Sequence, residues 1–279
     1  MYAQVRQQVQ GSLHLHKYKG TLGTLRSIYN VEGPLGLFKG LGTALFNVPL
    51  FWSIYWYSYE NLKIRIHQEY PDLPVPALHI IAATISGGTA DVVTNPFWVV
   101  RTRIQTLILH PETKESLRHQ QRPSVTPSTW QMFRLIYKEE GPRAFYKGLT
   151  ASLLGLPHVA IQFPLYEYLK GALREARCSG DEGECSDSLG DFILASITAK
   201  LLASSVTYPH EVLRVRMQDN RQRHMGLYDV TRRIVREEGL RALYAGFRVN
   251  MIRLIPSTTS TFVTYEYVTK LLVQRQGHD

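Results

Sequence analysis

Arg253 is the residue best placed to do chemistry in this sequence. It lies in GFRVNMIRLIPSTTSTFVTY, seven residues past Gly246, in a stretch whose other charge is Arg248 near its start. A charge inside an apolar span is costly and is a functional candidate by default. A guanidinium presents a planar fork that fits phosphate or carboxylate, so the chemistry is anion binding. The same offset of seven gives Asn47 after Gly40 and Gly155 after Gly148. Asn47 can donate and accept hydrogen bonds. Gly155-Leu156 offers a small step and an apolar ledge, which suit a flat base or sugar. Two other charges in apolar surroundings, Lys200 and Asp91, are open between cargo contact and a structural role, with Asp91 five residues before Pro96. His158 and His210 flank prolines and read as structural histidines.

These residues need apolar elements to hold them. Leu41 to Tyr59 and Leu149 to Tyr166 each run without a charged residue, which is the length of a membrane-spanning helix. The mean hydropathy of −0.17 hides this clustering. A search for internal repeats then sets the organisation. Glu-Gly occurs at Glu32-Gly33, Glu140-Gly141 and Glu238-Gly239, spaced by 108 and 98 residues. Ile28, Ile136 and Ile234 precede these by four, and Gly40, Gly148 and Gly246 follow by seven, closing FKG, YKG and YAG. Tyr59-Glu60, Tyr166-Glu167 and Tyr265-Glu266 come next, 18 or 19 residues on.

The second and third repeats share an upstream element. Pro96, Trp98, Arg101 and Arg103 match Pro209, Glu211, Arg214 and Arg216 in spacing, with Gln105 and Gln218 nine residues past each proline. A proline inside a membrane helix removes a backbone hydrogen bond and bends the helix. Only 31 residues precede Glu32, and they are too polar to span. The first repeat is therefore expected to begin after, or within the tail of, such a helix.

Pro-x-acid-x-x-base-x-base followed by acid-Gly and aromatic-base-Gly, three times over, resembles the signature of the mitochondrial carrier family. The resemblance implies an all-α membrane protein, a threefold pseudo-repeat carrier bundle with five of six expected transmembrane helices, near 41–63, 77–107, 148–173, 191–218 and 246–273. Three short helices would lie parallel to the matrix face. The repeats would cover 1–70 (truncated), 71–180 and 181–279. It further implies substrate contacts at Asn47, Gly155, Leu156 and Arg253, helix kinks at Pro96 and Pro209, and a matrix gate of Trp98, Arg101, Glu211 and Arg214. A cytoplasmic gate would use Glu60, Lys63, Glu167, Lys170 and Glu266. Trp98 stands where the family has an acid, which leaves Arg101 without its equivalent partner and the matrix lock weak. In the third repeat Thr269 replaces the outer base.

The wording around Trp98 is similar to carriers of pyrimidine nucleotides, folate, FAD and NAD, and LGLPHVAIQFPLYE is most similar to NAD carriers. The expected function is alternating-access exchange of a nucleotide-like anion, first of all NAD, across the inner mitochondrial membrane. The alternatives are FAD, folate or a pyrimidine nucleotide, or a non-transporting truncated remnant. A monomer in a bilayer containing cardiolipin is implied. The net charge of +9 fits anionic cargo or lipid. No run of five basic residues and no nucleic-acid motif appears, so nucleic acid is not expected. Cys178 and Cys185 lack further ligands for a zinc site. No phosphate loop or nucleophile elbow is present, so neither enzyme activity nor a metal or cofactor is expected.

Overall fold

The structure, a computed structural model, describes residues 2–11, 20–109, 127–178, 189–219 and 226–254, with 256, 257, 259, 260, 264 and 267 beyond them. Every regular element among the described residues is a helix. In chain order these are α1 (Tyr2–Gln10), α2 (Gly20–Glu32), α3 (Leu41–Glu69), α4 (Val75–Thr106), α5 (Thr129–Glu140), α6 (Leu149–Leu153), α7 (His158–Cys178), α8 (Leu189–Gln218) and α9 (Leu227–Glu237). A tenth helical stretch, α10, covers 247–254. Gly36–Glu69 and Val75–Thr106 are long and apolar enough to cross a membrane. Pro96 lies inside α4 and Pro209 inside α8.

The chain packs as two units, Met1–Pro157 with Thr207–Phe247, and His158–Val206 with Arg248–Asp279. In the first, α3 and α4 form an antiparallel hairpin. Phe46 and Phe97 meet at one end with ring centres 5.2 Å apart, and the Tyr59 hydroxyl lies 2.6 Å from His79 Nδ1 at the other. The isoleucines ahead of each Glu-Gly are buried for a packing reason. Ile136 joins Met132 on α5 against Val99, Val100 and Ile104 on α4. Ile234 joins Val230 on α9 against Leu213 and Met217 on α8. The short helices are thus amphipathic stays on the ends of the long ones. α5 begins with a capping box between Ser128 and Gln131, which satisfies donors left open at the helix start.

α2 and α5 stop at the glycine of Glu-Gly, and α9 stops one residue earlier, at Glu238. Gly141, with φ 77° and ψ −178°, adopts a backbone open essentially to glycine alone. A 3₁₀ turn follows in every repeat, at Pro34–Phe38, Pro142–Tyr146 and Leu240–Tyr244. The next glycine, Gly148, is also left-handed at φ 77°, and a Cβ there would come 2.9 Å from the main-chain oxygen of Arg214. A Cβ on Gly246 would come 3.1 Å from the main-chain oxygen of Gln4, and one on Gly40 3.2 Å from the Gln105 side chain. These glycines let one repeat's loop press on the helix end of the next.

The expected helix over 148–173 is interrupted. α6 ends at Leu153, and Leu154–Pro157 form a turn before α7. Pro157 has no N–H to donate and constrains Leu156 before it. α3 carries Pro49 at the same offset from its glycine and stays helical. Gly155 makes the difference, because glycine is about 1 kcal/mol worse than alanine in a helix.

In the second unit, Ala195, Ala199 and Ala203 on α8 are fully buried at four-residue spacing. Such a small-residue stripe permits close helix approach. Val249 and Leu254 are buried on α10.

Candidate functional site

The region with most chemistry in the first unit is where α1, α4 and α8 end. Arg103 forms an ion pair with Glu140, and its Nε donates to the main-chain oxygen of Gln218 at 2.8 Å. Arg216 pairs with Glu238 and donates through Nε to Gln8 O at 2.8 Å. Arg6 pairs with Glu32 and donates to Gln105 O at 3.4 Å. Each arginine holds its own repeat's acid-Gly glutamate and the next repeat's helix end, and the sequence of contacts closes on itself. Lys39 and Lys147 add second cations to Glu32 and Glu140. Burial alone would raise the Glu140 carboxyl, but Arg103 and Lys147 bind it and hold it at about 2.

Arg6, Gln4 and Gln8 were not singled out in the sequence. The signal was present: Gln4-x-Arg6-x-Gln8 repeats the spacing of Arg101-x-Arg103-x-Gln105 and Arg214-x-Arg216-x-Gln218. The polar N-terminal stretch therefore carries the first repeat's copy of this spacing. Gln4 occupies the position of Arg101 and Arg214, and its Nε2 donates to Glu211 Oε1 at 2.9 Å.

Trp98 changes the same layer. Its ring centre lies 4.8 Å from the guanidinium carbon of Arg214 and 5.2 Å from that of Arg101. Arg101 does not face an empty acid position, then, because the indole face takes the place of the carboxylate. Arg214 also lies 4.0 Å from Asp91.

The three points seven residues past the glycines are placed differently. Asn47 is fully buried, and neither its Oδ1 nor its Nδ2 meets a hydrogen-bond partner among the described residues. Phe51, Tyr55 and Tyr59 rise from it at four-residue intervals, their rings stacked at 6.4 and 6.0 Å. Gly155 lies in the turn between α6 and α7, covered by the imidazole of His210. Leu156 is not an open ledge, since its methyl carbons rest on Gly87 and Gly88 of α4. In the second unit Arg253 is exposed on α10 and donates to Asn250 Oδ1 at 2.8 Å. Lys200 lies within Coulombic reach of Arg253.

At the opposite end of α3, Glu60 and Lys63 form an exposed ion pair of 2.9 Å. Glu167 and Lys170 lie one turn apart on α7, Glu167 exposed and Lys170 half-buried. Glu266 and Thr269 lie outside the described residues.

The family described as mitochondrial carrier protein matches residues 2–70, 74–177 and 186–276. The chain belongs to the mitochondrial carrier family. Its architecture is that family's all-α, three-repeat membrane fold. This carrier is 40% identical over 90% of its length to the mitochondrial nicotinamide adenine dinucleotide transporter 1 of Saccharomyces cerevisiae, of which it spans 65%. It is 35% identical over 91% of its length to the chloroplastic nicotinamide adenine dinucleotide transporter 1 of Arabidopsis thaliana, spanning 79% of that protein. It is 34% identical over 91% to solute carrier family 25 member 36-A of Danio rerio, again spanning 79%.

Proposed function

We propose that this chain works in the inner mitochondrial membrane as a carrier of NAD, exchanging it by alternating access. The observation that carries the reading is Arg253. It is an exposed guanidinium on a helix, steadied by Asn250 and accompanied by Lys200. Two cations in one region fit a pyrophosphate better than they fit a single carboxylate. The names of the yeast and plant relatives support the dinucleotide over a mononucleotide. The pyrophosphate sits on Arg253, and Asn47 and Gly155, with Leu156 beside it, hold the equivalent places in the other repeats.

The matrix gate consists of Trp98 on Arg101 and Arg214, and of Gln4 on Glu211. A ring face on a guanidinium and a neutral amide on a carboxylate are each weaker contacts than a buried ion pair. That suits a gate that must open in every cycle, because a deep lock would trap one state. Glu60, Lys63, Glu167, Lys170 and Glu266 form the outer gate. The carrier works as a monomer, surrounded by lipid that includes cardiolipin.

The test is uptake of labelled NAD into liposomes containing the protein, with FAD, folate and pyrimidine nucleotides as competitors. NAD competes best if the reading holds. Strong uptake of an amino acid with none of any nucleotide overturns it.

A further inference from the structure

We infer that Asp91 supplies the acid that the second repeat's motif lacks, holding Arg214 across the repeats in the matrix gate; this rests on the reading of that layer as a gate. The first observation is the direction of pairing. Glu211, at the acid position of the third repeat, accepts from Gln4, at the base position of the first, at 2.9 Å. Each acid position thus faces the base position of the following repeat, and the second repeat's acid belongs to Arg214. Trp98 stands at that position and offers a ring, 4.8 Å from the guanidinium carbon. The same helix nevertheless brings a carboxylate to Arg214. Asp91 Oδ1 lies 4.0 Å from Arg214 Nη2.

The second observation is the register on α4. Asp91 precedes Trp98 by seven residues, close to two helical turns, so the two share a face of the helix. Pro96 lies between them. Arg214 therefore touches α4 on both sides of a proline, where the helix lacks a backbone hydrogen bond and bends most readily. Contact with both residues braces that bend at one angle, and losing either contact frees it.

The third observation is the burial. Asp91 is only 8% exposed, and a buried carboxylate needs a cation or hydrogen bonds. Among the described residues, Arg214 is the cation within ion-pair distance of it. Glu211 is also within Coulombic reach of Arg214, but it takes the hydrogen bond from Gln4. At 4.0 Å the Asp91 contact is Coulombic and longer than a hydrogen bond, and Arg214 Nη2 meets no hydrogen-bond partner among the described residues. Such a pair can break in every cycle.

The experiment moves the acid back to its motif position. Thermal unfolding of the detergent-solubilised chain is compared for Asp91→Asn, Trp98→Glu and the two together, each with and without Arg214→Gln. Asp91→Asn should lower the unfolding temperature by about 2–4 °C. Adding Trp98→Glu should regain most of that loss, and the gain should vanish in the Arg214→Gln background. An Asp91 that merely packs α4 would not be rescued by a carboxylate two turns away. In liposomes, Trp98→Glu should slow NAD exchange in the unmodified chain and restore it in Asp91→Asn, a reversal of sign. If Asp91→Asn and Arg214→Gln shift the unfolding temperature additively, the pair is overturned. If they are coupled but Trp98→Glu slows exchange in both backgrounds, the pair is structural and its gate role is overturned. If the unfolding data show the coupling and the rescue yet the unmodified chain takes up no NAD, the NAD reading fails and the Asp91–Arg214 pair stands.

Discussion

The ring of Trp98 on α4 lies 4.8 Å from the guanidinium carbon of Arg214 on α8, where a carboxylate would otherwise make an ion pair across the repeats. An indole attracts a cation through its quadrupole, at about 0.5–2 kcal/mol depending on desolvation. Trp98→Leu removes that attraction, so the unfolding temperature should fall and matrix-side closure should loosen. Trp98→Phe should retain part of it. Trp98→Glu should create a stronger, salt-sensitive bond to Arg214 and slow exchange. A Trp98→Leu protein with unchanged stability and unchanged transport would remove Trp98 from the gate.

Glu140 is nearly enclosed, bound by Arg103 and Lys147. Truncating one side of a buried pair leaves the other charge uncompensated, a loss of roughly 3–5 kcal/mol. Glu140→Gln should therefore lower the unfolding temperature sharply. The carboxyl sits at about 2 against an ordinary 4.5. Its folded value is depressed, so its contribution is complete above 4.5 and is lost as pH falls through about 2. Acid unfolding of the unmodified chain should steepen in that window, and the steepening should be absent in Glu140→Gln. Equal pH profiles for the two would show that the ion pair does not drive acid unfolding.

The Glu60–Lys63 pair is solvent-exposed, with an N···O distance of 2.9 Å. Such a pair adds only about 0.3–0.5 kcal/mol to stability. Glu60→Lys should leave unfolding almost unchanged yet impair transport, if the pair closes the outer gate. Adding Lys63→Glu should restore part of the rate. The same reversal at Glu167 and Lys170 should behave likewise. A double variant no better than the single would mean that each residue bonds elsewhere.

Arg253→Ala should weaken NAD about ten- to a hundredfold, the loss of a charge-assisted contact of roughly 1.5–3 kcal/mol. Arg253→Lys should recover little, because a point charge does not reproduce the bidentate fork. NAD uptake with unaltered affinity in Arg253→Ala would overturn the pyrophosphate assignment.

The sequence by itself determined the repeat, the helical class and the family. Those rest on local spacing: Ile28, Ile136 and Ile234 had to be buried because each short helix has one apolar face, and the glycines after them mark turns that other residues resist. Position-by-position equivalence also made Asn47, Gly155 and Arg253 legible as one set. Only the tertiary structure decided what each residue meets. Trp98 looked like a gap because a missing acid is visible in a motif, while an arginine from a distant repeat stacking on its ring is not. Gln4 and Arg6 escaped notice because a polar nonapeptide carries no apolar signal, and their partners Glu211, Gln105 and Glu32 lie 26 to 207 residues away. His210 stands beside a proline in the sequence, and only the fold sets its ring against Gly155. Spacing along the chain fixes which face of a helix a side chain occupies. The contact it makes depends on another helix arriving at that face, and that is settled by packing across the repeats.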